Sequence, residues 1–291
     1  MSSRLKAFAK WLWLIIVIGG VAFYIFRNRE TLLTQLNAIA IPDLIASFVL
    51  LLMGKLLLVE QVQRAVYAVD GRMSYTRAFY INAVSQLAKY LPGGVWHFVG
   101  QAGLYRSSQL TVGQTARAMT LENIWMIIGA SIGGLIAYAF YSVDLLPAIG
   151  LAWGLMGVWA GLLWLIARRY GTSFHIPRLM MTQFSMWLLL ALCQWIIIPD
   201  KSTVLLAIGA FNLSWVIGFV SIFAPGGIGV REVVFAGIMA AAINPSDALI
   251  YGGVNRLLWI ITEIILGVFV AQWLNAKHHE EWSQGAVEST A

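Results

Sequence analysis

Two Pro-Gly-Gly triplets interrupt apolar parts of this chain. They lie at Pro92, Gly93 and Gly94 and at Pro225, Gly226 and Gly227. Proline lacks an N–H and obstructs the preceding helical turn, and glycine adopts conformations that other residues avoid, so one helix ends at each triplet and another begins. In hydrocarbon the free N–H groups of the new helix need a partner, and the positive end of its dipole lies there. We therefore expect both helix starts to bind an anion.

Polar residues accompany both triplets. His97 follows the first triplet, Arg231 and Glu232 follow the second, and Asn255 and Arg256 occur later. Paired, Pro/Gly-interrupted segments in the two halves of a membrane protein indicate a transporter-type site built from half-helices. The predicted substrate-binding residues are Pro92, Gly93, Gly94, His97, Pro225, Gly226, Gly227, Gly229, Arg231, Glu232, Asn255 and Arg256. The alternative is a helix-loop-helix corner at the membrane surface, where Arg231 and Glu232 face water.

Polar side chains inside apolar segments are informative, because an unpaired charge near the bilayer centre costs at least ~2.5 kcal/mol. Nine residues fall in this class: Lys55, Glu60, Glu122, Asn123, Arg231, Glu232, Asn255, Arg256 and Glu263. Arg256 and Glu263 share one helix face, and Glu232, Lys55 and Arg231 are their candidate partners across the bundle. Such charges either form a buried network that fixes helix register or handle substrate or protons, and both roles stay open.

The composition predicts an all-α polytopic membrane protein. Of the 291 residues, 60% are hydrophobic and 11% charged, and the mean hydropathy is +0.78, far above a typical soluble domain. The net charge of +6 comes from basic residues scattered through short loops, which signals topology and not nucleic-acid binding. The single cysteine, Cys193, excludes an intrachain disulfide. We predict no metal site, since His278 and His279 belong to a polar end, and no cofactor.

The hydropathy pattern predicts about eight spans and one re-entrant hairpin. The hairpin, Ala78 to Arg106, is divided by the first triplet into halves shorter than the roughly 20 residues needed to cross. The predicted spans are Trp11 to Phe26, Pro42 to Val62, Met119 to Tyr141, Leu145 to Ala167, Leu179 to Ile198, Thr203 to Phe223, Ile228 to Ala242 and Ala248 to Leu274. Together they predict one membrane domain, 1–275, with a short polar tail, 276–291.

The distribution of basic residues predicts the orientation. With the N-terminus inside, 14 of the 19 Lys and Arg residues fall on the cytoplasmic side and three on the outer side. The positive-inside rule then places both termini in the cytoplasm, and we expect the plasma membrane of a bacterium, its inner membrane. Pairs of glycines four residues apart at 129 and 133, 150 and 154, and 157 and 161 predict close helix packing, within the chain or in a homo-oligomer.

Three segments together resemble a known family. They run from Phe223 to Glu232, from Lys89 to His97, and across Asn255 and Arg256. They are similar to the lysylphosphatidylglycerol synthase transmembrane family, which includes the flippase domain of the multiple peptide resistance factor, and the resemblance covers roughly residues 10–275. It implies a flippase-like domain that handles phosphate-bearing lipids. The soluble aminoacyl-transfer domain of the full-length factor has no counterpart here, so lipid aminoacylation is not expected.

The preferred hypothesis is therefore a flippase or transporter whose lipid phosphate binds at the two helix starts, and membrane lipids are the expected partners. One alternative is a membrane-embedded enzyme acting on polyprenyl phosphate. In this chain the acidic residues predicted on the outer side are isolated from one another, and the Ser-Gly-His element of common lipid phosphatases does not occur. A third hypothesis is a non-catalytic partner of a membrane glycosyltransferase. No Walker-type phosphate loop is present as an energy source.

Overall fold

The computed structural model describes residues 29–90, 96–170, 175–221 and 224–288. This part of the chain forms ten α-helices joined by short turns, and it contains no strands. The helices are α1 (Arg29–Ala38), α2 (Ile41–Tyr67), α3 (Tyr75–Leu87), α4 (Trp96–Ser107), α5 (Val112–Ser142), α6 (Leu145–Tyr170), α7 (Ile176–Trp195), α8 (Val204–Val220), α9 (Val230–Met239) and α10 (Pro245–Glu288). The predicted first span, Trp11 to Phe26, lies outside the described residues.

In the part of the chain that the structure describes, six helical segments are long and apolar enough to cross a membrane, as expected of an all-α integral membrane protein. They are Ile41–Tyr67, Val112–Ser142, Leu145–Tyr170, Ile176–Trp195, Lys201–Val220 and Pro245–Val270. Each coincides with one of the spans predicted from hydropathy. Helix α10 extends beyond the predicted end at Leu274 and reaches Glu288, because the tail contains residues such as Ala, Lys, Glu and Gln, which favour helix.

The predicted span from Ile228 to Ala242 is shorter than expected. Helix α9 has 10 residues, from Val230 to Met239, and is therefore about 15 Å long, half of the ~30 Å hydrocarbon core. It begins late because Gly229 has φ of 85° and ends the preceding turn. Helix α9 alone does not cross the membrane.

The segment around the first triplet forms a hairpin whose two ends lie together. Ser74 caps α3 by accepting the N–H of Arg77 at 3.2 Å. The Arg77 guanidinium then donates to Ser108 Oγ at 2.8 Å and to Ser107 Oγ at 2.7 Å, at the far end of α4. These contacts support the predicted re-entrant geometry, since the chain returns to where it entered.

The second triplet also reverses the chain. After α8, the guanidinium carbon of Arg231 lies 5.3 Å from the ring centre of Trp215, so α9 returns along α8. A Cβ built on Gly252 of α10 would lie 3.4 Å from Phe235, so α10 packs on the other side of α9. Helix α9 is thus held between α8 and α10, with Phe235, Ala236 and Met239 in the core.

The glycines of α5 and α6 differ in their packing. On α5, a Cβ at Gly129 would lie 2.3 Å from Gln183 Oε1, and one at Gly134 would lie 3.0 Å from Leu213, so these glycines permit close approach to α7 and α8. The four predicted glycines of α6, at 150, 154, 157 and 161, have nothing within 4 Å of such a Cβ. Among the described residues these four glycines therefore make no close packing contact, and their packing in a homo-oligomer stays a prediction, because spacing does not show which face of a helix is covered.

The hairpin geometry predicts which loops share a membrane side. Single cysteines placed at Arg72 and Gly113 should react with an impermeant maleimide from the same side, and one at Ser142 from the opposite side. The native Cys193 is fully buried and supplies a silent background. Labelling of the Arg72 and Gly113 positions from opposite sides would show that residues 75–107 cross the membrane.

Candidate functional site

The two interrupted segments meet inside the bundle. The turn Ala88–Tyr90 ends α3, and the turn Pro225–Gly227 follows α8. The Lys89 carbonyl oxygen lies 3.9 Å from where a Cβ on Gly226 would be. Pro92, Gly93 and Gly94 lie outside the described residues, so the meeting is defined by the residues on either side of the first triplet.

The Glu263 carboxylate is the main acceptor at this junction. It is buried, and Oε1 lies 2.7 Å from Lys55 Nζ and 2.5 Å from Lys89 Nζ. The indole N–H of Trp259 donates to the same oxygen at 2.6 Å, and the Tyr90 hydroxyl donates to Oε2. The predicted pairing of Glu263 with Lys55 is confirmed. One carboxylate thus joins α2, α10 and the tip of the hairpin.

A second acidic residue, Glu232, organises the start of α9. Its Oε2 accepts the backbone N–H of Gly229 at 2.7 Å, and its Oε1 lies 4.0 Å from Arg256 Nε. Arg256 also donates from Nη2 to the carbonyl oxygen of Gly226 at 2.6 Å. The pairing of Arg256 with Glu232 was expected.

The expectation that the start of α9 leaves its N–H groups for an external anion is wrong for Gly229. An acidic residue three positions into the first turn can reach back to the N-cap N–H, as in a capping box. Glu232 is placed to do so and supplies the negative charge itself. Anion binding here therefore depends on side-chain cations more than on the helix end.

Arg231 is the cation of this cluster without an acidic partner. No carboxylate of the described chain lies within 4 Å of its guanidinium, and its Nε is buried without a hydrogen bond. The side chain crosses Gly218 and Gly227, which leave space for it, and stacks near Trp215 at 5.3 Å. A guanidinium held this way is available to an anion that enters the site.

A cavity of about 260 Å³ lies between the two interrupted segments, and we call it the chamber. Its polar lining residues are Lys55, Gln86, Lys89, His97, Gln101, Glu122, Asn123, Ser221, Arg231 and Glu263. Aromatic and aliphatic side chains form the rest of the wall. A more open depression of about 760 Å³ lies at the surface loop from Tyr67 to Ser74 and contacts none of the predicted residues.

Positive charge exceeds negative charge around the chamber. Lys55, Lys89, Arg231 and Arg256 provide four cations, and Glu232, Glu263 and Glu122 provide three carboxyl groups at most. Glu122 is on the far wall, where it accepts from Gln101 Nε2 at 2.7 Å and from the Tyr105 hydroxyl at 3.1 Å. With every one of these groups in its charged form, the junction therefore has a formal net charge of +1 before any ligand binds.

The remaining predicted residues divide between the chamber and other places. His97 lines the chamber, and its buried Nδ1 has no partner among the described residues. Gly226 and Gly227 also line it, with φ of 60° and 71°. Asn255 does not: it donates to Cys193 Sγ at 3.3 Å and borders a separate cavity of about 30 Å³. Glu60 pairs with Arg64 away from the site.

Sequence reasoning missed three important residues. Lys89 and Tyr90 lie three and two residues before Pro92, and Trp259 lies one helical turn before Glu263. Their position beside predicted residues was the available signal. Comparison of the chain with models of known families and with curated proteins gives no match. The resemblance to the lysylphosphatidylglycerol synthase transmembrane family stays a prediction, and the functional argument depends on the chamber.

Removal of the shared carboxylate should destabilise the protein strongly. Glu263→Gln leaves Lys55 and Lys89 buried without their counter-charge, which should lower the free energy of unfolding by about 3 kcal/mol or more. Glu60→Gln, which changes a carboxylate whose side chain is 26% exposed, should cost within about 1 kcal/mol. Denaturant unfolding in detergent micelles measures both. Equal losses for the two variants would mean that Glu263 does not hold the junction together.

The second triplet should tolerate no side chain at its last position. Gly227→Ala places a Cβ at φ of 71°, 2.8 Å from Arg231 Nε and 2.9 Å from the Gly218 carbonyl oxygen. The left-handed backbone alone costs about 1–2 kcal/mol, and the contacts add to it. Gly237→Ala, in the same hairpin and with nothing within 4 Å, should be neutral or stabilising by up to ~1 kcal/mol. Comparable unfolding of both variants would contradict this geometry.

Proposed function

We propose that this protein is a lipid transporter of the flippase type, which binds the phosphate of a phospholipid or polyprenyl-phosphate lipid in the chamber. The observation that carries the proposal is the net positive charge of a cavity at the junction of two interrupted segments. Buried charges without a counter-charge are costly, so the unpaired Arg231 favours occupation by an anion.

The charges around the chamber have separate roles in this proposal. Lys55 is held by Glu263 and lies 4.3 Å from the Trp259 ring centre, so it is part of the scaffold. Lys89, at the tip of the hairpin, is shared between Glu263 and the chamber. Arg231 and Lys89 would contact the phosphate from opposite segments, and Arg256 would add charge behind them. The two glutamates hold the cations in position.

The other walls suit the less polar part of a lipid. Phe98 of α4 and Phe219 of α8 both line the chamber, and their ring centres are 6.5 Å apart. Outside them, Val99 and Val220 are exposed on helices that face the membrane. Apolar side chains thus lie between a headgroup in the chamber and the exposed surface of α4 and α8, where acyl chains would remain in hydrocarbon.

Movement of the two interrupted segments would give each leaflet access in turn, as in transporters with broken helices. Helices α3, α4 and α9 are short and each has one end near the junction, so in this proposal they are the elements that tilt, and contacts such as that of Lys89 with Glu263 would open as they move. The proposal keeps about eight spans, a bacterial inner-membrane location and both termini in the cytoplasm, and this requires the turn Pro225–Gly227 and α9 to cross the membrane together. On this topology both interruptions open toward the cytoplasmic half.

The test is transport of labelled lipid by the purified chain in liposomes, with phosphatidylglycerol, its aminoacylated form and a polyprenyl phosphate as separate arms. Arg231→Gln should slow transport of the substrate lipid at least tenfold, because the charge is lost, and Arg231→Lys should retain part of the rate. Arg168→Gln is the matched control: Arg168 is exposed on α6 and also lies near a tryptophan ring, at 5.4 Å from Trp164. It should leave the rate unchanged.

Two outcomes would contradict the proposal. Transport that is equal in Arg231→Gln and the unmodified chain would show that the chamber is not the substrate site. Lipid that stays in place in every arm, under all ion gradients, would exclude an autonomous transporter. Lipid modification that appears only with a glycosyltransferase present would then indicate a partner role, and product formation by the chain alone would indicate an enzyme.

A further inference from the structure

A second cavity adjoins the chamber, between α5, α7 and α8. Its volume is about 220 Å³, and its lining is almost entirely apolar, with Ile136, Phe140, Leu188 and Ile208 among the contributors. Gly129 and Gly133 form the α5 side. We call it the apolar pocket. For comparison, an engineered apolar cavity of ~150 Å³ is large enough to bind benzene.

Trp187 separates the two cavities. It is 1% exposed and lines both the chamber and the apolar pocket. Its ring centre lies 4.6 Å from that of Trp215, which lines the chamber and not the apolar pocket. The chamber and the pocket are therefore neighbouring compartments along the contact of α5 with α8, one polar and one apolar, with two tryptophans at the boundary.

The boundary carries an unused hydrogen-bond donor. Trp187 Nε1 is buried and has no acceptor among the described residues. It lies 3.1 Å from where a Cβ on Gly129 would be, so it faces the α5 wall of the pocket. Asn212, one turn before Trp215, also lines the pocket. Gln183 Oε1 lies at the same Gly129 position and is also without a hydrogen bond, so the two side chains do not satisfy each other. A ligand carbonyl oxygen at Trp187 Nε1 would supply the acceptor that this N–H lacks.

Access to the pocket comes from the membrane. Phe184 and Leu205 line the pocket and are themselves 45% and 39% exposed on the outer face of the bundle. Both residues lie on apolar segments long enough to cross a membrane, so in a bilayer a hydrocarbon chain would reach the pocket between them without crossing water. The order of features from the chamber outward is then cations, an N–H donor and an apolar compartment.

We infer that the apolar pocket binds the first part of one fatty-acyl chain of a diacyl phospholipid, whose ester carbonyl accepts from Trp187 Nε1 while its phosphate occupies the chamber; the rest of that chain extends into the bilayer. This rests on the proposed function and narrows its substrate. A phosphate, an ester carbonyl and an acyl chain follow one another in a phospholipid in the order of these three features. A polyprenyl phosphate has the phosphate and the hydrocarbon but no ester carbonyl, so it cannot satisfy the Trp187 N–H.

The donor is tested with Trp187→Phe, which keeps an aromatic ring and removes the N–H. Binding of phosphatidylglycerol with ester-linked chains and of its diether analogue, which lacks carbonyls, is measured on the full chain in detergent by native mass spectrometry. Trp187→Phe should weaken the ester lipid about two- to tenfold, the usual range for one hydrogen bond, and leave the diether lipid unchanged. Equal weakening of both lipids, or of neither, would overturn the carbonyl assignment.

The pocket itself is tested with Gly133→Leu. A Cβ there meets only Asn212 Nδ2 at 3.6 Å, so the larger side chain can enter the pocket and fill it. It should weaken both lipids at least tenfold. Gly154→Leu, on the uncovered face of α6, is the matched control and should stay within twofold. Unchanged binding by a folded Gly133→Leu protein would overturn the pocket assignment, and Trp187→Phe provides an independent reading if that variant does not fold.

A third arm separates this inference from the function on which it rests. Glycerol 3-phosphate carries the headgroup phosphate without chains and is measured by its competition with the lipid. Gly133→Leu should leave the affinity for glycerol 3-phosphate unchanged, and Arg231→Gln should abolish it. Loss of lipid affinity only in Gly133→Leu would support the acyl pocket and contradict the charged chamber. Loss of lipid affinity only in Arg231→Gln would support the charged chamber and contradict the acyl pocket.

Discussion

This structure depends on the ion pairs and hydrogen bonds of the buried Glu263 carboxylate. In hydrocarbon, a lysine is tolerated only with a counter-charge and further hydrogen bonds. Glu263 provides these for Lys55 and Lys89 at once, with Trp259 and Tyr90 completing its oxygens. Because Lys89 belongs to the hairpin and Glu263 to α10, this contact fixes the hairpin tip in the centre of the bundle and defines one wall of the chamber.

The positive charge that the two glutamates leave uncompensated explains why the site favours a phosphate. Glu263 is shared by two lysines, and Glu232 is used by the Gly229 N–H as well as by Arg256. Neither carboxylate is left for Arg231, which instead lies between glycines and against Trp215. The same two acids that make the fold stable therefore leave one cation uncompensated. A phosphate would complete the electrostatic balance in the way that the protein does not.

Much of the architecture could be predicted from the sequence, because it follows from local patterns. Six apolar spans, the hairpin at residues 78–106 and the interruptions at the glycine triplets all depend on hydropathy, proline and glycine. The contact between Lys89 and Glu263 joins residues 174 positions apart, and no periodicity indicates it. The glycines of α6 show the same limit, since their spacing is correct for packing and none of the described residues covers their face. The cap by Glu232 was readable from its spacing with Gly229, and it changes how the helix start binds anions.

The most direct test of this account is an experimental structure of the chain in nanodiscs that contain phosphatidylglycerol. The account predicts density for a phosphate in the chamber, within about 2.7–3.2 Å of donor nitrogens of both Arg231 and Lys89, with Glu263 still bound to Lys55. A chamber without an anion, in which Arg231 is paired with a carboxylate of its own chain, would contradict the central claim that uncompensated charge makes this junction a phosphate site.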